Sequence, residues 1–284
     1  LNHVLMRLIA DSGSSKTDWR LINEEGLQHS CTTSGINPYF MSSDTITSIL
    51  QSGFTIPADP EVIKEVFFYG AGCSNKEKCN KVATALEILF PEAEISVYTD
   101  MLGAARAVCG NKPGIAAILG TGSNSCFYNG SDIAYNVPSY GYLFGDEGSG
   151  AYLGKLFIYA YFHKKLPGRL ISAFEEEYGL TAEKILEAAY SQPNPNRFLA
   201  SFSVFLHKVI KEPSIESIVR QGFTDFFDKQ IDQITDYKNL PLGVVGSVGF
   251  NFSEILRAVA LNKGVKISNI IQSPIAALTT FHQK

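Results

Sequence analysis

The first hundred residues alternate short apolar runs with polar turns, and the order of the runs predicts their type. Leu5 to Ala10 is apolar and ends at Asp11, Thr17 to Asn23 follows a turn rich in Ser and Gly, and Leu27 to Thr33 follows Glu24-Glu25-Gly26. Runs of this length between such turns predict a meander of three strands. Beyond them the spacing changes. Ser43 to Gln51 reads as a helix, Glu65 to Tyr69 as a strand, Lys76 to Phe90 as a helix, Glu94 to Thr99 as a strand and Met101 to Cys109 as a helix. That alternation calls for parallel strands joined by helical crossovers.

The pattern then restarts. Ile115 to Leu119 and Asn124 to Tyr128 read as strands joined by Gly120-Thr-Gly-Ser123, the same strand, Gly/Ser/Thr turn and strand seen near the start. Repetition of such a device suggests two halves of like construction. From Ser149 to about Leu240 the chain reads as mostly helical, with breaks at Pro167-Gly168, Gly179, Pro193 to Pro195 and Pro213. Leu242 to Val245 is then a strand, Gly246-Ser-Val-Gly249 a turn, Asn251 to Asn262 a helix, Lys266 to Ile271 a strand and Pro274 to His282 a last helix. A three-stranded meander followed by strand-helix units is the order of a ribonuclease H-like half. The expected fold is therefore α/β, two ribonuclease H-like domains with an interdomain cleft, divided as residues 1–112 plus 273–284 and residues 113–272.

Composition narrows the classes of function. A chain of 284 residues, 45% hydrophobic and 18% charged, can bury a core in each of two domains. A formal net charge of -4, with no local cluster of Lys and Arg, offers nothing to a nucleic acid. Pro113 to Ser131 lacks charge over the length of a membrane span, but its four glycines and several Ser, Thr and Asn suit a buried strand, turn and strand instead. Leu1 to Met6 has no basic stretch, long apolar core or cleavage site of a signal peptide and reads as leader ahead of Met6. Five scattered cysteines without a CxxC pair suggest neither a disulfide framework nor zinc, and a reducing cytoplasm fits them.

The candidate chemistry sits in turns. Asp11-Ser-Gly-Ser-Ser-Lys16-Thr17 can aim backbone N–H groups and hydroxyls at phosphate oxygens, with Lys16 adding positive charge and Asp11 placed to hold Mg2+. It also reads as a plain structural hairpin. Gly120-Thr-Gly-Ser-Asn124 is a second such turn, and Gly246-Ser247, opening a helix, a third. Asp100 stands where a strand gives way to a helix. There it reads either as that helix's N-cap or as a carboxylate able to take a hydroxyl's proton during phosphoryl transfer. Gly145-Asp-Glu-Gly-Ser-Gly150 clamps two carboxylates between glycines, and alone it reads equally as a binding loop or as a capped loop.

Together these residues resemble the N-acetylglucosamine kinase family, within the superfamily of sugar kinases, actin and heat-shock chaperone ATPases. Asp11 to Thr17 is similar to its first phosphate motif, Gly120 to Asn124 to its second, and Gly243 to Gly249 to its adenosine motif. Gly145 to Gly150 is the most family-specific segment, and Thr32-Thr-Ser-Gly-Ile-Asn37-Pro resembles the one that places an Asn on the sugar. The resemblance implies ATP and Mg2+ as cofactors and Asp100 as catalytic base on the 6-hydroxyl of an amino sugar. Asn37, Asp100, Ser123, Asn124, Tyr140, Gly141 and Asp146 would contact that sugar. Gly13, Ser14, Ser15, Lys16, Thr17, Gly120, Thr121, Gly122, Gly246 and Ser247 would contact the nucleotide, and Asp11 the metal.

Two departures from the family pattern stand out. Ser replaces glycines in the first motif, and Ser139-Tyr140 stands where a Gly-Trp pair is usual. The second alters the sugar's wall, so N-acetylmuramic acid and glucosamine are alternatives to N-acetylglucosamine. The superfamily also contains ATP-driven activators of partner enzymes, which hold an iron-sulfur cluster by cysteines; Cys109 and Cys126 are the candidates here, with plain packing the competing reading. The expected partners are a sugar and ATP, with no nucleic acid or membrane, in a cytoplasmic homodimer.

Overall fold

The computed structural model describes residues 5–13 and 15–283. Ser14, expected at the nucleotide, and the first four residues of the stretch read as leader lie outside the described residues. The chain divides into two compact units, one through Asn111 with Gly130–Asp132 and the segment from Ser273, the other Lys112–Asn129 with Ile133–Gln272.

The first unit opens with β1 (Met6–Ser12), β2 (Lys16–Asn23) and β3 (Gly26–Ser34), then α1 (Ser43–Gly53), β4 (Ile63–Gly70), α2 (Lys76–Leu89), β5 (Glu94–Thr99) and α3 (Asp100–Cys109). Its sheet has the order β3-β2-β1-β4-β5, antiparallel through the meander and parallel from β1 to β5. Side chains alternate across it. Leu8, Ala10, Trp19, Val66 and Phe68 bury against Ile46 and Leu50 of α1 and Val82 and Leu86 of α2. Trp19 is fully buried, and its Nε1 donates to Thr33 Oγ1 at 3.0 Å.

The second unit repeats this order. β6 (Gly114–Leu119), β7 (Ser123–Tyr128) and β8 (Ile133–Asn136) form the meander, followed by α4 (Gly141–Phe144), α5 (Gly150–Phe162), α6 (Gly168–Tyr178), α7 (Ala182–Tyr190), α8 (Pro195–Lys208) and α9 (Pro213–Lys229). Then come β9 (Leu242–Val245), α10 (Ser247–Asn251), α11 (Ser253–Asn262) and β10 (Ile267–Ile271). The sheet order β10-β9-β6-β7-β8 is that of the first sheet with the strands renumbered. Phe157, Phe174, Phe202 and Phe205 meet edge to face or tilted beneath the inserted helices, an arrangement favoured by the ring quadrupole.

The last helix, α12 (Ile275–His282), belongs to the first unit. Ile275 and Leu278 bury against Ile9, Ile22 and Tyr69, on the sheet face opposite α1 and α2. A polar chain crosses this packing: Arg106 Nη1 donates to the Tyr69 hydroxyl at 2.7 Å, which lies 2.7 Å from His282 Nε2. Burial pushes His282 down to about 4, and the Arg106 and Arg7 guanidinium charges act the same way. Unfolded, the ring takes up a proton below about 6.5; folded, it resists until about 4. Folding therefore gains from the neutral ring above that window, and the gain is lost as pH falls through it. In urea titrations the wild type is expected to lose about 2–3 kcal/mol more than His282→Gln between pH 6.5 and 4. Equal losses in the two proteins would contradict this role for the ring.

Candidate active site

Three loops of the first unit meet at one edge of its sheet. Ser12 pairs with Gly70, and Gly70 with Thr99, so the ends of β1, β4 and β5 lie in one row. Ser12, almost fully buried, binds the loops together: its Oγ lies 2.7 Å from Thr17 Oγ1, accepts the Ile36 N–H at 3.2 Å, and its carbonyl takes the Ala71 N–H at 2.8 Å. Asp11 and Asp100 stand in this neighbourhood, one residue from the row on each side. The open end of an α/β sheet is where such folds bind ligands.

Asp100 is not a helix cap. Thr99 is the N-cap of α3, its hydroxyl taking the Leu102 N–H at 3.1 Å, while Asp100 begins the helix and accepts the adjacent Met101 N–H at 2.8 Å. The capping duty that could have explained this aspartate belongs to its neighbour. Burial pushes the Asp100 carboxyl up, against the pull of the Met101 N–H. Asp11 is pushed up to about 7, first by burial and then by the charges of Asp18 and Asp100, with Lys16 opposing. A carboxylate so crowded by negative charge is one that a cation would relieve. Among the described residues no cluster of three His, Cys, Asp or Glu could hold a metal alone.

The remaining residues of the first turn divide. The Gly13 N–H bonds to the Lys16 carbonyl at 3.0 Å and the Ser15 carbonyl accepts from Gly35 N–H at 3.1 Å, closing the hairpin. Lys16 Nζ bonds Asp18 Oδ2 at 2.7 Å. Thr17, expected at the nucleotide, is fully buried and its hydroxyl is committed to Ser12 and to the Ser34 carbonyl. Asn37 Oδ1 accepts the Tyr39 N–H at 3.0 Å, so the side chain is held in an Asx turn. Gly72 makes room for it: at φ +83° and with a Cβ that would fall 2.4 Å from Asn37 Oδ1, no other residue fits there.

In the second unit the glycine-clamped loop and the second turn are stitched to each other. The Gly150 N–H donates to the Gly120 carbonyl at 2.8 Å, the Ala151 N–H to Thr121 at 3.1 Å, and the Ser123 N–H to Asp146 Oδ1 at 3.3 Å. Ser149 caps α5 by accepting the Tyr152 N–H at 3.1 Å. Asp146 holds φ at +57°, unusual for a residue with a Cβ and a sign that the surrounding bonds dictate its place. Burial pushes its carboxyl up; the Ser123 N–H and Lys155 pull it down, and Glu147 pushes it up again. Gly122 leaves space for that carboxylate, since a Cβ would lie 2.9 Å from Asp146 Oδ2.

Asn124 Oδ1 accepts from Ser125 N–H at 2.9 Å and from Asn136 on β8 at 3.4 Å. Tyr140 is exposed and leads into Gly141, at φ +67°, which opens α4. Gly246 lies against the Leu119-Gly120 backbone, and Ser247 begins α10 directly, so the expected third turn is already helix. Three participants gave no hint in the sequence. Gln230 follows α9 and reaches Ser123 and Glu147, Lys155 on α5 donates to the Tyr142 carbonyl, and Thr99 holds the cap that was one of the two readings of its neighbour. Gly72, directly after a strand end, is the one whose residue type offered a clue.

No family model matches the sequence, and no curated protein matches it. Solved structures do. A crystal structure from Porphyromonas gingivalis, provisionally named an N-acetylglucosamine kinase, shares 43% identity over 98% of this chain and 99% of its own, with a TM-score of 0.94. One from Chromobacterium violaceum, also provisionally named an N-acetylglucosamine kinase, matches at 19% identity over 98% and 99%, with a TM-score of 0.74. The ethanolamine utilization protein EutJ from Carboxydothermus hydrogenoformans matches at 14%, over 98% and 89%, with a TM-score of 0.50; these last two likenesses speak for the fold. A doubled mixed sheet with carboxylates at the strand ends, together with the closer likeness, defines the class as the ATP-dependent phosphotransferases. Within that class the chain belongs to the N-acetylglucosamine kinase family.

Proposed function

We propose that the protein transfers the γ-phosphoryl group of ATP to the 6-hydroxyl of an amino sugar, N-acetylglucosamine first among them. The observation that carries this reading is Asp100: a carboxylate at a strand end, relieved of capping by Thr99 and raised by burial. A carboxylate raised toward neutrality is a stronger base for an alcohol proton. As the 6-oxygen bonds to the γ-phosphorus, the bond to the β,γ-bridging oxygen breaks, and the hydroxyl proton passes to Asp100. ADP and the sugar 6-phosphate are the products.

Two ribonuclease H-like domains would divide the labour. The first would supply Asp100 and Asn37, with the Ser15 N–H and the charge of Lys16 toward the phosphates and Gly13 shaping the turn through its bond to the Lys16 carbonyl; Asp11 would hold Mg2+, which when bound supplies neutralising charge for the phosphates. The second supplies Ser123, Asn124, Tyr140, Gly141 and Asp146 to the sugar, and Gly120, Thr121, Gly122, Gly246 and Ser247 to the nucleotide.

The activator reading is less well supported. Cys126 is fully buried in β7, and burial pushes the Cys109 thiol up to about 11, away from the thiolate that iron needs. Purified protein incubated with ATP, Mg2+ and a panel of sugars is expected to phosphorylate N-acetylglucosamine, with N-acetylmuramic acid and glucosamine as the comparisons. Absence of turnover on every amino sugar would overturn the substrate class.

A further inference from the structure

The inserted helices carry no recognisable motif, yet they deliver a buried amide to the candidate sugar loop. Gln230, just past the end of α9, is 7% exposed. Its Nε2 donates to Ser123 Oγ at 2.8 Å and to Glu147 Oε2 at 3.2 Å, partners 107 and 83 residues away in sequence. Both hydrogens of the amide nitrogen are thereby spent. A buried amide is kept where its bonds are met, and here they fix two side chains at once.

The direction of the first bond matters. A serine hydroxyl has one hydrogen and two lone pairs, so an oxygen that receives Gln230 keeps its own hydrogen for another acceptor. Ser123 is thus set as a donor. The second bond occupies Glu147, which is 8% exposed and also faces Lys229 Nζ at 3.8 Å. Of the two clamped carboxylates, Glu147 is held on the protein side, and Asp146 is left with the Ser123 N–H and the charge of Lys155.

We propose that Gln230 is a positioning residue for the substrate: it turns Ser123 into a hydrogen-bond donor and retains Glu147 as a brace, so that Ser123 and Asp146 face the ligand as donor and acceptor. The complementary ligand offers a hydroxyl hydrogen to Asp146 and a neighbouring oxygen lone pair to Ser123, as a sugar with an acyl or ring oxygen beside a hydroxyl does. This assignment rests on the amino-sugar reading above and says which groups of that substrate the loop grips.

Gln230→Met keeps the length and removes both donors, and Gln230→Glu keeps the shape while offering no N–H at neutral pH. Calorimetric titration with N-acetylglucosamine, steady-state kinetics in both substrates and thermal melting are compared with wild type. The expected result is a roughly tenfold rise in the sugar's Kd and KM, with KM for ATP and kcat within about twofold. In a Ser123→Ala background, adding Gln230→Met is expected to cost no further sugar affinity, since the effect passes through that hydroxyl. Sugar binding unchanged in a folded Gln230 variant, with only the melting temperature lowered, overturns the assignment. Wild type that binds no amino sugar sinks the functional reading instead, so the two failures are told apart.

Discussion

Asp100→Asn lowers kcat by about a thousandfold while the sugar's KM and the melting temperature stay near those of wild type. The size follows from losing the proton acceptor, because positioned general bases contribute roughly 10²–10⁴. The selectivity follows from the cap. An asparagine oxygen can still accept the Met101 N–H, and Thr99, which satisfies the Leu102 N–H, is untouched. The complementary change, Thr99→Ala, removes the cap and costs about 1 kcal/mol of stability. Steady-state kinetics with melting curves of the two variants separate the roles. If Asp100→Asn turns over at the wild-type rate, the proton goes elsewhere and the assigned chemistry falls.

That pair of neighbours also shows where sequence reading reaches its limit. Strand, helix and turn were legible because apolar periodicity decides them: β5 occupies the expected Glu94 to Thr99 and β9 the expected Leu242 to Val245. One position of phase along the chain, however, decides whether Thr99 or Asp100 takes the cap, and only backbone angles settle that. β8 was missed because it is a four-residue edge with little burial, so no alternation marks it. The helix expected from Asn251 to Asn262 is α11, starting two residues later at Ser253, while the turn expected at Gly246 to Gly249 is largely the short helix α10, parted from α11 at Phe252.

The candidate site divides along the same line. Glycine-rich turns and carboxylates at strand ends draw attention by residue type, and Asp11, Asp100 and Asp146 are candidates on that ground. For Thr17 the alternation of a strand, not the composition of the turn, decides which side its hydroxyl faces; paired opposite Ser12, it faces inward. Gln230 was invisible for another reason. Its partners are 83 and 107 residues away, and nothing about one glutamine after a long helix foretells which distant loop it will touch.

Gly246→Ala destabilises the second unit by at least about 3 kcal/mol, through two causes that add. The residue holds φ at +124°, which a side chain rarely tolerates, and a Cβ would fall 2.3 Å from the Leu119 carbonyl oxygen and 2.6 Å from its carbon. Those obstacles are backbone atoms of β6, fixed by pairing on both sides, so they cannot swing away as a flexible side chain would. The end of β9 cannot retreat either, since the Gly246 N–H donates to the Ile271 carbonyl at 2.9 Å. Relief must come from parting the second and third turns, which this glycine allows to touch. Gly179→Ala is the control: its φ is +59° in the left-handed helical region and nothing lies within 4 Å of the added Cβ, so about 1 kcal/mol of conformational strain is the whole expected cost. Melting temperatures should fall by roughly 6–12 °C for Gly246→Ala and by about 2–4 °C for Gly179→Ala. Equal losses would mean that the close approach of the two turns adds nothing to stability, and that the positive φ accounts for all of it.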